Sequence, residues 1–185
     1  MRLIVLLLMA LLGAGCDRQK PSGEQVAERP AQPAQGVDRS HKGEAAPGVG
    51  FRDPDGGDVD LAAFRGKPLL VNLWASWCAP CVKELPTLDR LSAERDGELQ
   101  VVAVSQDMAP HSSVEAFLTQ HGIANLGAYH DAEMGLTAAL GVQVMPTTVL
   151  YDAAGLEVWR FIGELDWTSA EAGKLLAEAS PATAH

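Results

Sequence analysis

The cysteines at positions 78 and 81 are the side chains best suited to chemistry in this chain of 185 residues. Two cysteines at this spacing can close a small disulfide. Cys78 follows an apolar, strand-like run and precedes a helical pattern, so its sulfur should lie beside the unpaired N–H groups and positive end of a helix. This environment favours a thiolate. We therefore predict that Cys78 attacks a disulfide and that Cys81, one turn further along, resolves the product.

The same pair of thiols could bind a metal ion instead. Two thiolates suit Cu(I), whereas they supply only half of a tetrahedral zinc site. The histidines at positions 111, 121 and 130 show no ligand spacing, and the third cysteine, Cys16, is remote in the sequence. We predict no resident metal and no cofactor besides the redox-active disulfide. A Cu(I)-binding chaperone that uses Cys78 and Cys81 remains the alternative function.

The elements that must hold the cysteines follow from the apolar runs. Residues 69–74 and 100–105 are apolar segments typical of strands covered on both faces, and each precedes a helical pattern. Alternation of strand and helix favours a parallel sheet core, and hence an α/β fold. An N-terminal hairpin is predicted from 49–51 and 58–60, and a second hairpin from 147–151 and 157–162. A short helix is predicted at 134–140, and a final helix after residue 168.

Three local signals predict how the helices begin and end. Pro86 should kink or break the helix that follows the cysteine pair, because proline lacks the N–H that a helix interior needs. Ser112 with Glu115 predicts a capping box at the start of the next long helix. Thr168 with Glu171 predicts the cap of the final helix.

Two segments of this chain resemble a known family. Residues 72–86, NLWASWCAPCVKELP, resemble the extracytoplasmic reductases of the TlpA, ResA and DsbE type in the thioredoxin superfamily. Residues 142–148, VQVMPTT, resemble the loop in which these proteins present a cis-proline to the disulfide, and Pro146 follows Cys81 by 65 positions. The resemblance implies a thioredoxin-like α/β fold with an N-terminal β-hairpin and an inserted strand–helix unit.

The resemblance also implies a proton-transfer residue. Asn72 occupies the position of a buried aspartate in thioredoxin and cannot titrate. In the resembled subgroup an acidic residue three positions after the second cysteine does related work, and Glu84 has that place, so it should exchange a proton with Cys81. The alternative is a solvated Glu84 that pairs with Lys83 or Arg90.

A client-binding edge is implied around the disulfide. A substrate chain would pair as a strand beside the cis-proline, and an exposed tryptophan before the first cysteine would form part of the platform. Met145 could contact the substrate through its adaptable thioether or could serve packing alone. The predicted substrate-binding residues are Trp77, Ala79, Pro80, Met145 and Pro146.

The N-terminus is typical of an exported protein. A ten-residue apolar run after Arg2 is too short to span a bilayer, and small residues follow it. Residues 1–15 are therefore predicted to be a signal peptide, and Cys16 resembles a lipoprotein's lipidated first residue, although Leu12 lies four positions before it rather than three. Asp17 resembles an inner-membrane retention signal. We predict a lipid-anchored disordered tether at 16–48, a thioredoxin-like domain at 49–180 and a tail at 181–185.

The charge balance excludes one class of partner and the resemblance supplies others. With 24 Asp and Glu against 14 Lys and Arg, the formal net charge is −10, which disfavours nucleic-acid binding. Exported disulfide-containing proteins should be the clients, during cytochrome c or cytochrome oxidase copper-site maturation. A membrane thiol transporter of the DsbD or CcdA type should be the electron donor. The protein should act on the periplasmic side of the bacterial inner membrane, held by lipid on Cys16.

Overall fold

A computed structural model describes residues 34–179 of the chain. The predicted signal peptide, Cys16, the first half of the predicted tether and the tail at 181–185 lie outside these residues. The strands are β1 (Gly36–Asp38), β2 (Phe51–Arg52), β3 (Asp58–Val59), β4 (Leu69–Trp74), β5 (Gln100–Ser105), β6 (Tyr129–His130), β7 (Thr147–Tyr151) and β8 (Glu157–Ile162). The α-helices are α1 (Ala79–Glu94), α2 (His111–Gln120), α3 (Gly135–Ala139) and α4 (Ala170–Leu176), and two 3-10 helices are Leu61–Phe64 and Ala177–Ala179. None of the helices in this part of the chain is both long and apolar enough to span a membrane.

These strands form one mixed sheet in the order β1–β8–β7–β4–β5–β6–β2–β3. The central strand β4 is buried throughout, runs parallel to β5 and runs antiparallel to β7. β6 and α3 lie between α2 and β7 in the chain, within the 65 positions that separate Cys81 from Pro146. β2 and β3 pair as an antiparallel hairpin. The α/β thioredoxin-like architecture predicted from the sequence is confirmed.

The two faces of the sheet carry separate cores, because successive side chains of a strand point to opposite sides. Leu70 and Trp74 pack in a core with α1, α2 and α4. Leu69, Val71 and Leu73 pack in a second core that includes residues of α3 and of the first 3-10 helix. Asn72 lies two residues from both Leu70 and Trp74, so it points to the same side of the sheet as they do, the face that α1 covers.

The strand register brings three connections to one edge of the sheet. Trp74 pairs with Ser105, so the loops after β4 and β5 start side by side. Leu73 pairs with Thr147, the first residue of the antiparallel strand β7. The chain just before β7 therefore reaches the same edge as the cysteine pair after β4. This convergence positions the candidate site.

The folded region begins earlier than the predicted boundary at residue 49. β1 adds an antiparallel strand to β8, with Val37 opposite Phe161, and Val37 packs against the core. Ala45 forms an isolated bridge with Leu156. The prediction of a disordered tether is therefore wrong for residues 36–48, because backbone hydrogen bonds to a sheet edge fix a segment that has few apolar side chains.

The predicted helix signals are also corrected. α1 continues through Pro86 to Glu94, so the proline does not break it. α2 begins at His111 without a side-chain cap, which places Ser112 inside the helix. Ser169 caps α4 by accepting from the N–H of Ala172, and the Thr168 hydroxyl instead donates to Asp166. The N-cap position of α2 therefore lies two residues before the predicted cap and is uncapped, whereas the cap of α4 is displaced by one residue to a neighbouring hydroxyl side chain.

Candidate active site

The cysteine pair lies where β4 passes into α1. A tight turn, in which the N–H of Cys78 donates to the carbonyl of Ala75 at 3.1 Å, puts Cys78 at the N-cap of the helix. Pro80 occupies the first turn, where a missing N–H is tolerated. Cys78 and Cys81 form a disulfide. Cys78 is 7% exposed and lines the groove beside the disulfide, whereas Cys81 is fully enclosed.

A carboxylate from the loop after the neighbouring strand β5 holds the turn before Cys78. Asp107 accepts from the backbone N–H of Ser76 at 3.0 Å and from its hydroxyl at 2.8 Å, and it also accepts from the hydroxyl of Ser105. Asp107 is buried. Sequence reasoning missed this residue, because its contact with Ser76 follows only from the parallel register of β4 and β5.

The loop between α3 and β7 forms the other wall of the site. The Met145–Pro146 peptide bond is cis, as the resemblance implied. An open groove of about 440 Å³ beside the disulfide contains four of the five predicted substrate-binding residues; Pro146 itself is buried. Trp77 is 67% exposed beside Cys78. The groove is lined by Trp77, Cys78, Ala79, Pro80, Met134, Thr137, Val142, Gln143, Val144 and Met145.

Met134 is a groove residue that sequence reasoning missed. It has a φ of 55°, which places it in the left-handed region at the N-cap of α3. Met134 lines the groove together with Met145. A methionine before a short helix gave no sequence signal for this position, since the groove forms only when α3 folds against the sheet edge.

Glu84 lies on the enclosed side of the pair. It is 1% exposed, and it sits one helical turn after Cys81. Its Oε1 accepts from Asn72 Nδ2 at 2.7 Å, and its Oε2 accepts from the backbone N–H of Leu165 and from Trp167 Nε1, each at 3.2 Å. The alternative of a solvated Glu84 paired with Lys83 or Arg90 is wrong, because Glu84 is buried and bonded to Asn72, Leu165 and Trp167, while Lys83 pairs with Glu164.

Burial tunes Glu84 for proton exchange near neutral pH. Removal from water raises the pKa of this carboxyl from 4.5 to about 7, while the hydrogen bonds from Leu165, Asn72 and Trp167 act in the opposite direction. A carboxyl in this range can both accept and return a proton at physiological pH. Asn72 also donates to Thr148 on β7, at 2.9 Å, so a neutral amide links Glu84 to the strand that follows Pro146.

The histidines do not add a metal centre to the described part of the chain. No three His, Cys, Asp or Glu side chains within residues 34–179 are grouped so that they could hold a metal ion. His130 is buried and its Nε2 lies 2.7 Å from the carbonyl oxygen of Asp107, and the rings of His111 and His130 are 5.7 Å apart.

Comparison with known proteins agrees with this geometry. The Redoxin family matches residues 41–176. The thiol-disulfide oxidoreductase ResA of Bacillus thuringiensis (strain Al Hakam) is 30% identical over 123 residues, which cover 66% of this chain and 70% of ResA. The thioredoxin-like protein YneN of Bacillus subtilis (strain 168) is 32% identical over 117 residues, covering 62% of this chain and 68% of YneN.

A solved structure extends the match to the fold. The crystal structure of a Chlorobium tepidum protein, provisionally assigned as the thiol:disulfide interchange protein DsbE, superposes with a TM-score of 0.65 at 27% identity. The match covers 75% of this chain and 98% of that protein. The disulfide at the start of α1, the cis-proline loop and these relatives agree, and the chain therefore belongs to the redoxin family as a ResA- and DsbE-like thiol:disulfide oxidoreductase of the thioredoxin superfamily.

Proposed function

We propose that this protein is a membrane-tethered reductase of disulfides in exported proteins. The observation that carries the proposal is the unequal placement of the two cysteines: Cys78 lines a groove, whereas Cys81 is enclosed, as is Glu84. A protein disulfide can reach the first sulfur only. The sulfur of Cys81 can then react only within the protein, by attack on the sulfur of Cys78.

The reaction begins with the reduced pair. The Cys78 thiolate attacks one sulfur of the client disulfide, the client S–S bond breaks, and the other client sulfur leaves as a thiolate. Cys81 gives its proton to Glu84 and attacks the Cys78 sulfur of the mixed disulfide. This step releases the second client thiol and leaves the Cys78–Cys81 disulfide. Two electrons have passed from the enzyme to the client.

The reducing direction is supported by the residues between the cysteines. Ala79 and Pro80 lack the histidine that is typical of strong oxidants, whose reduced thiolate is heavily stabilised. Each cycle ends with an oxidised enzyme, so a donor of two electrons is required. We assign this part to a membrane thiol transporter of the DsbD or CcdA type, which would act on the same cysteine pair.

The setting of the reaction rests on the N-terminal sequence. A lipid on Cys16 would hold the domain at the periplasmic side of the bacterial inner membrane, where two or more acyl chains anchor a protein stably. The clients would be apocytochrome c or a copper-site protein of cytochrome oxidase. The segment 163–167, GELDW, resembles the TlpA branch and favours the copper-site protein.

Equilibration with glutathione and an insulin assay test the direction. The protein should reduce insulin with dithiothreitol as the donor, and its potential should lie nearer thioredoxin, at about −270 mV, than the oxidant DsbA, at about −120 mV. A potential at the oxidant end would overturn the reductase assignment. A reduced protein that instead retains one equivalent of copper through purification would support the Cu(I) chaperone.

A trapping experiment tests the clients and the anchor. Cys81→Ser should stop at the mixed disulfide, so partners can be recovered from cells under non-reducing conditions and identified by mass. The matched control, Cys78→Ser, should trap none. Cys16→Ser should release the protein from the membrane fraction, and retention there would contradict the lipid anchor.

A further inference from the structure

The segment that follows β8 is fastened along one face of α1. This C-terminal strap, residues 163–168, pairs Glu164 with Lys83 at one point. At another, the backbone N–H of Trp167 donates to the hydroxyl of Thr87 at 3.2 Å. Thr87 lies four residues after Lys83 and three after Glu84, so it is the neighbour of both on the helix surface. The strap thus closes over the side of α1 on which the buried carboxylate lies.

The strap connects the cis-proline loop to Glu84. At its start, the N–H of Gly163 donates to the carbonyl of Pro146 at 2.9 Å. Further along, the Leu165 N–H and the Trp167 indole N–H both donate to Glu84 Oε2 at 3.2 Å. One short segment therefore contacts both the client-binding loop and the proton-transfer group.

Trp167 is held rigidly where it makes this contact. The residue is 1% exposed, its ring stacks on Trp159 with centroids 6.5 Å apart, and Phe161 meets it edge-on. The Thr87 hydroxyl that accepts from its backbone also donates to the Glu84 carbonyl at 2.8 Å. Its indole N–H has one fixed direction, since an indole ring has a single donor and no rotating hydrogen.

The surroundings of Glu84 make the ionised form of this carboxyl depend on the Trp167 donor. From β4 the neutral side chain of Asn72 donates to Glu84, and Asn72 also donates to the neutral hydroxyl of Thr148 on β7. The charged group that acts on Glu84 is Glu164 of the strap, which opposes its ionisation and is itself paired with Lys83. Without a cation paired to the carboxylate, its ionised form depends on hydrogen-bond donors, and a donor to a charged group is worth about twice a neutral one.

We propose that Trp167 is a positioning residue for the resolving step: its indole N–H holds the Glu84 carboxylate in one orientation and stabilises the ionised form that takes the Cys81 proton. The inference rests on the proposed function and concerns only the second of its two thiol steps. Attack by Cys78 does not use Glu84 and should be independent of Trp167.

The two steps can be timed separately with 5,5′-dithiobis(2-nitrobenzoate), known as DTNB. Reduced protein in a Cys16→Ser background has only the two active-site thiols. Cys78 releases one thionitrobenzoate as it forms the mixed disulfide. Cys81 releases the second as it closes the enzyme disulfide. Stopped-flow absorbance across pH 5 to 9 gives a pH profile for each release.

The variant is Trp167→Phe, which keeps an aromatic ring and removes the donor. We expect an unchanged first release and a second release whose half-maximal pH moves up by about one unit, equivalent to about a tenfold slower rate on the acidic limb. The matched control is Trp159→Phe. That indole is also buried and stacked, but it donates to the carbonyl of Leu175, so neither profile should move.

Combination with Glu84→Gln separates positioning from a structural role. In that background the second release should lack the acidic limb, and Trp167→Phe should add no further shift. An unshifted second profile for Trp167→Phe, or the same shift in Trp159→Phe, would overturn the inference. Should Trp167→Phe fail to fold, Thr87→Val removes the acceptor that holds the Trp167 backbone, and an unmoved profile there would overturn it equally.

Failure of the underlying function has a different signature. A reduced protein that neither releases the first thionitrobenzoate nor reduces insulin would refute the reductase itself, and the inference with it. Normal first release with an unmoved second profile refutes only the role of Trp167.

Discussion

Replacement of Glu84 by glutamine should make the oxidised protein less sensitive to rising pH. The pKa of Glu84 is raised from 4.5 to about 7, so between these values the folded protein keeps a proton that the unfolded chain releases. Stability from this group is therefore fully present below pH 4.5 and is lost as pH rises to 7. A pKa change of this size corresponds to about 3 kcal/mol. The Glu84→Gln variant carries no such group.

Urea unfolding of the oxidised protein measures this effect, since disulfide-bonded cysteines do not titrate. The free energy of unfolding of Glu84→Gln minus that of the wild type should increase by about 3 kcal/mol between pH 4.5 and pH 8. The control is Glu94→Gln, an exposed carboxylate on the same helix, for which the difference should stay constant within about 0.5 kcal/mol. If the Glu84→Gln difference is the same at both pH values, burial does not raise the pKa of Glu84 and the prediction is wrong.

Three further changes test other parts of the site. Trp77→Ala should lower kcat/KM for insulin about tenfold. It should change the free energy of unfolding by less than about 0.5 kcal/mol, because the side chain is 67% exposed. An unchanged kcat/KM would show that Trp77 does not contribute to the client-binding surface. Glu157→Gln should lower the free energy of unfolding, measured in urea, by about 3 kcal/mol, because the buried guanidinium of Arg160 loses its paired carboxylate. A decrease of less than about 1 kcal/mol would contradict this expectation. Asp107→Asn should cost about 1–3 kcal/mol by weakening its bonds to Ser76, and an unchanged urea midpoint would show that the turn holds itself.

The strands around the site were predictable because each is an apolar or β-prone run, and the pair 147–151 and 157–162 flanks a clear turn signal at 152–155. The predicted bounds 69–74, 100–105, 147–151 and 157–162 are confirmed. The place of the cysteine pair between strand and helix follows directly from these runs. The cis bond before Pro146 could be expected only from the resemblance, since proline in a loop is far more often trans.

The contacts made between distant segments were not predictable from local patterns. β1 has a polar sequence and gains its order from the edge of β8, which local composition does not reveal. Asp107 reaches Ser76 only because β4 and β5 end in register. Trp167 reads as a core residue, and its bond to Glu84 depends on the path of the strap. Each of these contacts requires the assembled sheet, whereas sequence patterns mainly indicate the local structure of residues that are adjacent in the chain.

The assembled site divides into an open and a closed half, and the division orders the chemistry. Cys78 opens onto a groove lined mostly by apolar side chains, where a client chain of varied sequence would lie under the proposed function. Cys81 is enclosed, as is Glu84, and the two side chains that donate to the Glu84 carboxylate, Asn72 and Trp167, are neutral. In the proposed reaction a client would therefore meet only the attacking sulfur, while the proton needed for release would be transferred out of contact with solvent. Because the resolving thiol would reach only the mixed disulfide, we expect the enzyme to close its own disulfide rather than capture a second client.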